Sequence, residues 1–411
     1  MSKVAQSERT HIAFVGRRNV GKSSLMNKFI GQDLVIVSDV PGTTTDPVKK
    51  AMELLPFGPV VLIDTAGIDD IGELGEKRIS KTIKTITEVD FAILVLDSQQ
   101  KLTQHEIELI EKLKNFSVPF LAVINKSDLG INYDLINELQ KFGIKYHPVS
   151  CLTGNGIYEL KEKVSQLLPK EEEIPLVGDI VKQHDLIVLV VPIDLGAPKG
   201  RLIMPQVQTI REALDVDSIV VVAKDKELRA ALSKLNQSPK LVVTDSQAIM
   251  RVIADVPDDV LLTTFSILMA RYKGDLSEYI RGIKRIEELE NGDKVLIAEA
   301  CTHHAQEDDI GRVKIPRWLR LHTKKNIEID VVSGHDFPEN LSDYKLIIHC
   351  GGCTLTRKMM QTRIKQARYM GIPIVNYGVA ISYLHGAMPR VLEPFPEAIA
   401  EWEKLFQRIN I

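Results

Sequence analysis

The chain has 411 residues, which at roughly 100–200 residues per domain predicts two to four domains instead of a single core. Hydrophobic residues make up 44% of it and charged residues 26%, a composition that excludes a wholly disordered chain. The 52 Lys and Arg residues against 55 Asp and Glu give a net charge of −3, which argues against a generally basic nucleic-acid-binding surface.

Targeting signals and cysteine content narrow the class further. The longest apolar run, 186–193, is far shorter than the roughly 20 residues that span a bilayer, and the first ten residues lack the apolar stretch of a signal peptide. These features predict a cytoplasmic protein that binds neither membrane nor nucleic acid. The four cysteines are too few for a disulfide framework. Three of them nevertheless form a pattern near the C-terminus, and that pattern needs a chemical explanation.

Strand-length apolar runs alternate with helical segments along the whole chain, which predicts the α/β fold class. In the first domain, 1–170, the runs HIAFVG, VVLIDT, FAILVLD and PFLAVIN are typical of a parallel sheet buried on both faces. The acidic stretch 170–173 predicts a linker. A second, smaller α/β domain is predicted for 178–274, with strands in DLIVLVVPID, SIVVVA and KLVVTD. A third is predicted for 275–411, with strands in KVLIAEA, NIEIDVVSG, YKLIIHC and IPIVNYG.

The segment from Gly16 to Ser23, GRRNVGKS, fits the phosphate-binding pattern G-x-x-x-x-G-K-S. It follows the strand HIAFV and opens the helix KSSLMNKFI, which is the context that the pattern requires. Glycines let backbone N–H groups turn inward onto phosphate oxygens, and the helix N-terminus adds positive potential. Lys22 can reach the β- and γ-phosphates, and the Ser23 hydroxyl can bind Mg²⁺. The segment therefore predicts a P-loop.

Motifs after the following strands complete a nucleotide site. In DTAG, Asp64 can hold Mg²⁺ through water and the Gly67 N–H can sense the γ-phosphate. Thr44, in the threonine-rich loop 41–46, is expected to close over Mg²⁺ when the γ-phosphate is present. The motif NKSD ends in Asp128, whose carboxylate can accept hydrogen bonds from N1–H and the 2-amino group of guanine. Adenine offers neither donor, so the motif predicts selection of guanine.

The remaining nucleotide contacts come from Lys126, whose stem can pack on the base, and from the segment Ser150–Leu152, which can present a backbone N–H to guanine O6. The predicted catalytic and Mg²⁺-binding residues are Lys22, Ser23, Thr44, Asp64 and Gly67. The predicted nucleotide-binding residues are Gly16, Asn19, Val20, Gly21, Lys22, Ser23, Ser24, Asn125, Lys126, Asp128, Ser150 and Cys151.

This order of motifs resembles the translation-factor-like GTPases, particularly the Era and TrmE group, over roughly residues 8–168. Ile68 follows DTAG where Ras-like enzymes carry a water-positioning glutamine, and an apolar side chain cannot orient water. Asn19 occupies the P-loop position at which potassium-activated members of the group place an asparagine ligand for K⁺. The resemblance therefore implies slow intrinsic hydrolysis stimulated by K⁺, with the cation stabilising charge on the phosphates.

The C-terminal pattern consists of Cys301-Thr302-His303 and the segment His349–Cys353, HCGGC. Both groups directly follow predicted strands, and ligands of open α/β sheets gather outside the carboxyl ends of the strands. Loops from neighbouring parallel strands would bring three thiolates together. Three interpretations remain open from the residues alone. They are a closed zinc site of three cysteines and a histidine, a CxxC redox pair, and an iron–sulfur cluster in which one iron takes another ligand.

A GTPase domain followed by C-x-H and then HCxxC resembles the FeFe-hydrogenase maturation GTPase family, HydF, along the entire chain. The resemblance implies a 4Fe–4S cluster on Cys301, Cys350 and Cys353. The fourth iron ligand is exchangeable in that family, and His303, His349, His304 and Glu307 are the candidates here. The resemblance also implies that the middle domain, 178–274, mediates formation of a homodimer and that 275–411 binds the cluster.

The activity implied by this resemblance is that of a scaffold or carrier. It would receive a diiron precursor from radical S-adenosylmethionine maturases and pass it to apo FeFe-hydrogenase, with GTP as a switch. The main alternative is an Era-like GTPase that associates with RNA or the ribosome and carries a zinc site. A second alternative is a redox-sensing GTPase in which CxxC forms a disulfide that controls hydrolysis.

Overall fold

The computed structural model describes residues 8–31, 47–69, 73–169, 174–192, 202–300, 309–334, 338 and 340–406. By their contacts, the residues of the chain form two compact units, 1–171 and 172–411. The predicted site residues Thr44, Cys301 and His303 lie outside the described residues, as do His304 and Glu307. In the described part of the chain, no helix has the length and apolar character needed to cross a membrane.

The first unit contains one six-stranded sheet in the order β2-β3-β1-β4-β5-β6. All neighbours are parallel except β2 and β3, which are antiparallel. Its strands are β1 (Thr10–Val15), β2 (Val48–Leu54), β3 (Gly58–Asp64), β4 (Phe91–Asp97), β5 (Phe120–Asn125) and β6 (Tyr146–Pro148). Its helices are α1 (Lys22–Ile30), α2 (Glu73–Glu88), α3 (Gln104–Asn115), α4 (Tyr133–Lys141) and α5 (Ile157–Leu167).

Both faces of this sheet are buried. Ile12 and Phe14 of β1 belong to one apolar core, while Ala13 and Val15 belong to the core on the opposite face. Alternate side chains of a strand point to opposite faces, so a strand with a core on each side must be apolar throughout. This explains the uninterrupted apolar run IAFV at 12–15 and confirms the predicted α/β class for this unit.

The second unit contains two four-stranded sheets, each parallel throughout. The first has the order β10-β9-β7-β8 and is built from β7 (Leu186–Val190), β8 (Ile219–Ala223), β9 (Leu241–Thr244) and β10 (Leu261–Thr264). Its helices are α6 (Met204–Asp215), α7 (Leu228–Ser233), α8 (Ile249–Asp255) and α9 (Phe265–Lys273).

The other sheet of the second unit has the order β12-β11-β13-β14. Its strands are β11 (Lys294–Glu299), β12 (Glu328–Ser333), β13 (Leu346–His349) and β14 (Ile374–Asn376). Its helices are α10 (Leu276–Glu287), α11 (Ile315–Thr323), α12 (Arg357–Tyr369), α13 (Tyr377–Leu384) and α14 (Pro396–Phe406). The two sheets have the same topology. In each, the first strand is central, the second strand pairs on one side of it, and the third and fourth strands follow on the other side.

A single apolar core extends from Leu176 to Ala398 and joins the two sheets of the second unit. At about 25 cal/mol per Å² of buried apolar surface, a shared core of this kind makes separation of the two sheets costly. The sequence predicts a boundary at residue 274, where Gly274 ends α9 and Asp275 caps α10 by accepting the Glu278 N–H. The division of this unit into two domains stays a prediction.

Candidate functional site

The P-loop of the first unit follows β1, at the point where the chain turns from one side of the sheet to the other. β1 lies between β3 and β4, so a crevice forms at its carboxyl end. Open α/β sheets bind their ligands in such crevices. Gly16 and Gly21 have φ of 143° and 96°, and a Cβ at either would come within 2.4 Å of a neighbouring atom. Only glycine fits both positions, which explains the spacing of the motif.

The P-loop side chains predicted to bind phosphate and Mg²⁺ are held by local contacts. The buried Lys22 ammonium donates to the carbonyl oxygens of Gly16 and Arg17, at 3.1 and 2.7 Å. The Ser23 hydroxyl donates to one carboxylate oxygen of Asp64, which ends β3. Lys22 and Ser23 therefore lie beside the carboxylate that the sequence predicts for Mg²⁺ binding.

The Asp64 carboxylate has the surroundings of a cation ligand. Its Oδ1 is buried without a hydrogen-bond partner among the described residues. Burial raises the pKa of Asp64, against the opposing effects of the Ser23 hydroxyl and the Lys22 charge. A cation or its bound water at Oδ1 would satisfy this oxygen and favour the charged carboxylate. The residues present therefore fit a Mg²⁺ ion.

Residues of the DTAG motif pack tightly against the P-loop. A Cβ at Gly67 would lie 2.4 Å from the Arg18 side chain and 2.8 Å from its backbone nitrogen, so glycine is required for this approach. The Arg18 N–H donates to Asp69 at 2.7 Å. Ile68 is 7% exposed and belongs to the core beneath the sheet. Its burial agrees with the expectation that it does not orient a water molecule.

Asn125 joins the P-loop to the loop predicted to contact guanine. It ends β5, is 2% exposed, and donates from Nδ2 to the Val20 carbonyl at 2.9 Å. Its Oδ1 accepts the Cys151 N–H at 3.2 Å. The Cys151 side chain packs on the apolar core, and burial raises the pKa of its thiol, as expected for a packing residue. Ser150 stabilises the same loop by accepting the Thr153 N–H.

Lys126 is held in place by an acidic residue that is not among the predicted site residues. Its ammonium lies 2.6 Å from Asp97 Oδ2, at the end of β4. Burial alone would raise the pKa of Asp97, but the hydrogen bonds from Lys126 and the Gln99 N–H outweigh it and lower that pKa. Asp128 is exposed in the turn that follows, as is Ser24 at the start of α1. Asp97 thus positions the side chain predicted to pack on the base.

A partly buried ion pair supports the other side of the P-loop. Arg17 Nε donates to Glu106 at 2.9 Å, and the Glu106 side chain is 1% exposed. Glu106 also accepts from the N–H and hydroxyl of Thr103, which forms a capping box at the start of α3. The pattern T-x-x-E is visible in the sequence. Its link to Arg17, 89 positions away, is not.

The cysteine pattern of the second unit lies at the point where the strand order of its second sheet reverses. β11 and β13 are parallel neighbours, with Ala298 opposite His349. The chain leaves β11 toward one edge of the sheet and leaves β13 toward the other, so their carboxyl ends flank the crevice where such sheets bind ligands. Cys350 directly follows β13, and Cys301 comes two residues after β11. The predicted adjacency of the two strands is confirmed.

Hydrogen bonds tie the two cysteine-bearing loops together. The Ala300 N–H donates to Cys350 Sγ at 3.1 Å, and the Cys350 N–H donates to the Ala298 carbonyl at 2.9 Å. The Thr354 hydroxyl donates to the Ala300 carbonyl at 2.9 Å. Cys350 is half-buried and Cys353 is exposed. Among the described residues no group of three His, Cys, Asp or Glu side chains is placed to hold a metal ion, and Cys301 lies outside that range.

His349 is enclosed beneath this loop. Its exposure is 0%, Nδ1 lies 2.7 Å from the Cys350 carbonyl oxygen, and Nε2 lies 2.7 Å from Arg363 Nη1. Burial, together with the Arg363 charge, lowers the pKa of His349 to about 3. The family resemblance makes His349 one of four candidates for the fourth cluster ligand. In this structure both of its ring nitrogens are already engaged within the protein.

Fold and site together define a P-loop GTPase domain joined to a second α/β unit. A family model described as 50S ribosome-binding GTPase matches residues 11–126. The models described as the hydrogen maturase F dimerization domain and tetramerization domain match residues 176–274 and 277–394, which together exceed half of the chain. The chain belongs to the hydrogen maturase F family, HydF, and its first unit is a GTPase domain of the type found in Era and related proteins.

Curated relatives that are GTPases match somewhat over a third of the chain. The tRNA modification GTPase MnmE of Clostridioides difficile is 34% identical over 165 residues, 38% of this chain and 34% of that protein. MnmE of Aquifex aeolicus is 36% identical over 159 residues, again 38% and 34%. The GTPase Era of Geobacter metallireducens is 32% identical over 165 residues, 39% of this chain and 55% of that protein. The chain thus spans between a third and just over half of these relatives.

Solved structures resemble the chain at low similarity, and two of them serve as examples. Era of Aquifex aeolicus is 19% identical with a TM-score of 0.34, over 52% of this chain and 92% of that chain. The G domain of the T. maritima FeoB iron transporter is 25% identical with a TM-score of 0.31, over 39% of this chain and 99% of that chain.

Proposed function

We propose that this chain is a GTP-dependent carrier that holds a 4Fe–4S cluster on Cys301, Cys350 and Cys353. In this proposal it receives the diiron precursor from radical S-adenosylmethionine maturases and delivers it to apo FeFe-hydrogenase. One observation carries the proposal. In this chain of the HydF family, Cys350 is the first cysteine of HCxxC. Its sulfur accepts a hydrogen bond from the N–H of Ala300, the residue before Cys301.

The described residues fit an iron–sulfur cluster. Thiolate sulfurs of such clusters are stabilised by backbone N–H donors, and Ala300 supplies one to Cys350. Gly352, with φ of 64°, bends the loop between the cysteines, and a Cβ there would lie 2.4 Å from Met360. When bound, the cluster would supply an iron with an exchangeable coordination position for the cargo. Since His349 is engaged elsewhere, His303, His304 and Glu307 are the candidates that we retain for the fourth ligand.

The GTPase domain would act as a switch on partner docking. The γ-phosphate would order the loops that contain Thr44 and Gly67, and hydrolysis would release them. A ligand shifts such an equilibrium only through contacts that differ between the two states. Partner exchange that stays unchanged when hydrolysis is abolished would contradict this part of the proposal.

We expect K⁺ to stimulate GTP hydrolysis through Asn19. This residue is exposed at φ of 59°, a left-handed conformation that asparagine tolerates, and it lies between the two P-loop glycines. A cation bound there would stabilise negative charge that develops on the phosphates. Hydrolysis should be at least about tenfold faster in KCl than in NaCl at equal ionic strength, and Asn19→Ala should remove most of the difference. Equal rates in the two salts would contradict the K⁺ site.

Metal analysis tests the cluster directly. Intact protein reconstituted anaerobically should contain iron and sulfide in the ratio of one 4Fe–4S cluster per chain and give an EPR signal after reduction. Cys301→Ala should lose most of both, because two thiolates hold a cluster poorly. Cys151→Ala is the matched control, since Cys151 packs on the core of the first unit and should leave the iron content unchanged.

Other results would select a different function. Tightly bound zinc without an EPR signal would favour an Era-like GTPase that associates with RNA or the ribosome. Reversible thiol oxidation that changes the rate of hydrolysis in metal-free protein would favour a redox sensor.

A further inference from the structure

We propose that Arg363 and His349 form a positioning pair beneath the cluster loop: the pair supports Cys350, keeps His349 from ligating iron, and places a buried positive charge that raises the reduction potential of the cluster. The inference rests on the cluster proposed above. It assigns a role to a cation on α12 that the C-x-H and HCxxC pattern does not include.

The contacts define the direction of each hydrogen bond. A guanidinium can only donate, so Nε2 of His349 must accept from Arg363. The neutral ring therefore carries its proton on Nδ1, which donates to the Cys350 carbonyl at 2.7 Å. Arg363 also donates to the Gly334 carbonyl, which follows β12. The pair thus connects the ends of β12 and β13 to the cysteine loop and uses both nitrogens of His349.

Arg363 is buried close to the cysteine loop, so its charge acts strongly on that loop. Its side chain is 5% exposed, while His349 is fully buried between it and Cys350. Screening is weak in such surroundings, so a fixed cation favours whichever state of a nearby cluster carries more negative charge. Reduction adds an electron, and the charge of Arg363 should therefore make reduction easier. The same charge would favour retention of an anionic cargo.

A second set of hydrogen bonds holds the backbone that follows the same loop. Lys273, at the end of α9, is 1% exposed and donates to the Leu355 carbonyl at 2.9 Å. The Thr356 hydroxyl caps α12 by accepting the Met359 N–H. The backbone between HCGGC and α12 is therefore fixed independently of Arg363, so loss of the Arg363 charge need not unfold the loop.

The test compares four full-length variants with the wild type after anaerobic reconstitution. The cluster potential is measured by EPR-monitored redox titration alongside iron and sulfide content. Arg363→Met should still bind iron, but its cluster potential should be more negative by at least about 59 mV. This shift corresponds to a tenfold change in the equilibrium constant for one-electron reduction. Arg363→Lys keeps the charge and should recover most of the shift. Lys365→Met removes an exposed charge from the same helix and should change little.

His349→Gln tests the ligand assignment even if Arg363→Met fails to fold. We expect this variant to retain the cluster. If pulsed EPR of wild-type protein labelled with ¹⁵N-histidine shows a coupling to a histidine nitrogen, His349→Gln should show the same coupling. A coupling lost only in His349→Gln would overturn the inference, and so would an unchanged potential in a folded, iron-loaded Arg363→Met. A wild type that binds no cluster would instead remove the proposed function and this inference with it.

Discussion

Lys22→Ala should lower the rate of GTP hydrolysis by about 10²–10³-fold, the loss expected when one preorganised electrostatic donor is removed from a transition state. In the structure the Lys22 ammonium bonds two P-loop carbonyls and lies at the N-terminus of α1. Its charge is therefore held where the β- and γ-phosphates are expected. Alanine removes that charge without changing the glycines that shape the loop.

The measurement is single-turnover hydrolysis of GTP with the protein in excess and at a concentration that binds all of the nucleotide, so that weaker binding and slower chemistry are separated. Lys141→Ala is the control, because it removes an equal charge from the exposed end of α4 in the same unit. Alanine is a good helix former, and both variants should keep the circular dichroism of the wild type. A rate for Lys22→Ala within threefold of the wild type would show that hydrolysis does not use this P-loop.

The elements that surround the nucleotide site could be predicted because their signals are local. The predicted helix KSSLMNKFI coincides with α1, since Gly21 in a left-handed conformation ends the loop and Gly31 ends the helix. In the strand before it, residues 12–15 are all apolar because both faces of the sheet are covered. Likewise, the predicted pairing of the strands before Cys301 and Cys350 needed only the rule that such loops meet at the carboxyl edge of a parallel sheet.

The residues that hold the site in place could not be predicted, since they come from distant parts of the chain. Glu106 in α3 and Arg363 in α12 are charged residues on helices, and such residues usually face solvent. Their burial depends on the packing of α3 and α12 against the sheets. His349 also has a contact that the sequence does not reveal. Its place beside Cys350 makes it a candidate ligand, and in the structure its buried side chain lies against Arg363.

An apolar edge strand in the second unit predicts how a homodimer forms. β8, IVVVA, lies at one edge of its sheet, and Ile219 and Val222 are 50% and 48% exposed. Unpaired edge strands readily pair with another chain, and soluble proteins normally protect them with charges. β8 carries no charged residue, and it lies within the segment matched by the dimerization-domain model. We propose that two copies of β8 pair across a twofold axis.

Val222→Lys should raise the dissociation constant of the dimer at least about 100-fold, equivalent to about 2.7 kcal/mol. Twofold symmetry places each new ammonium in the same interface as its copy, so the substitution adds repulsion and removes apolar burial together. Sedimentation equilibrium of the intact chain over a range of concentrations measures this constant. Tyr158→Lys, an exposed position on α5 of the GTPase domain, is the control and should leave it unchanged. A dimer of unaltered affinity in Val222→Lys would move the interface away from β8.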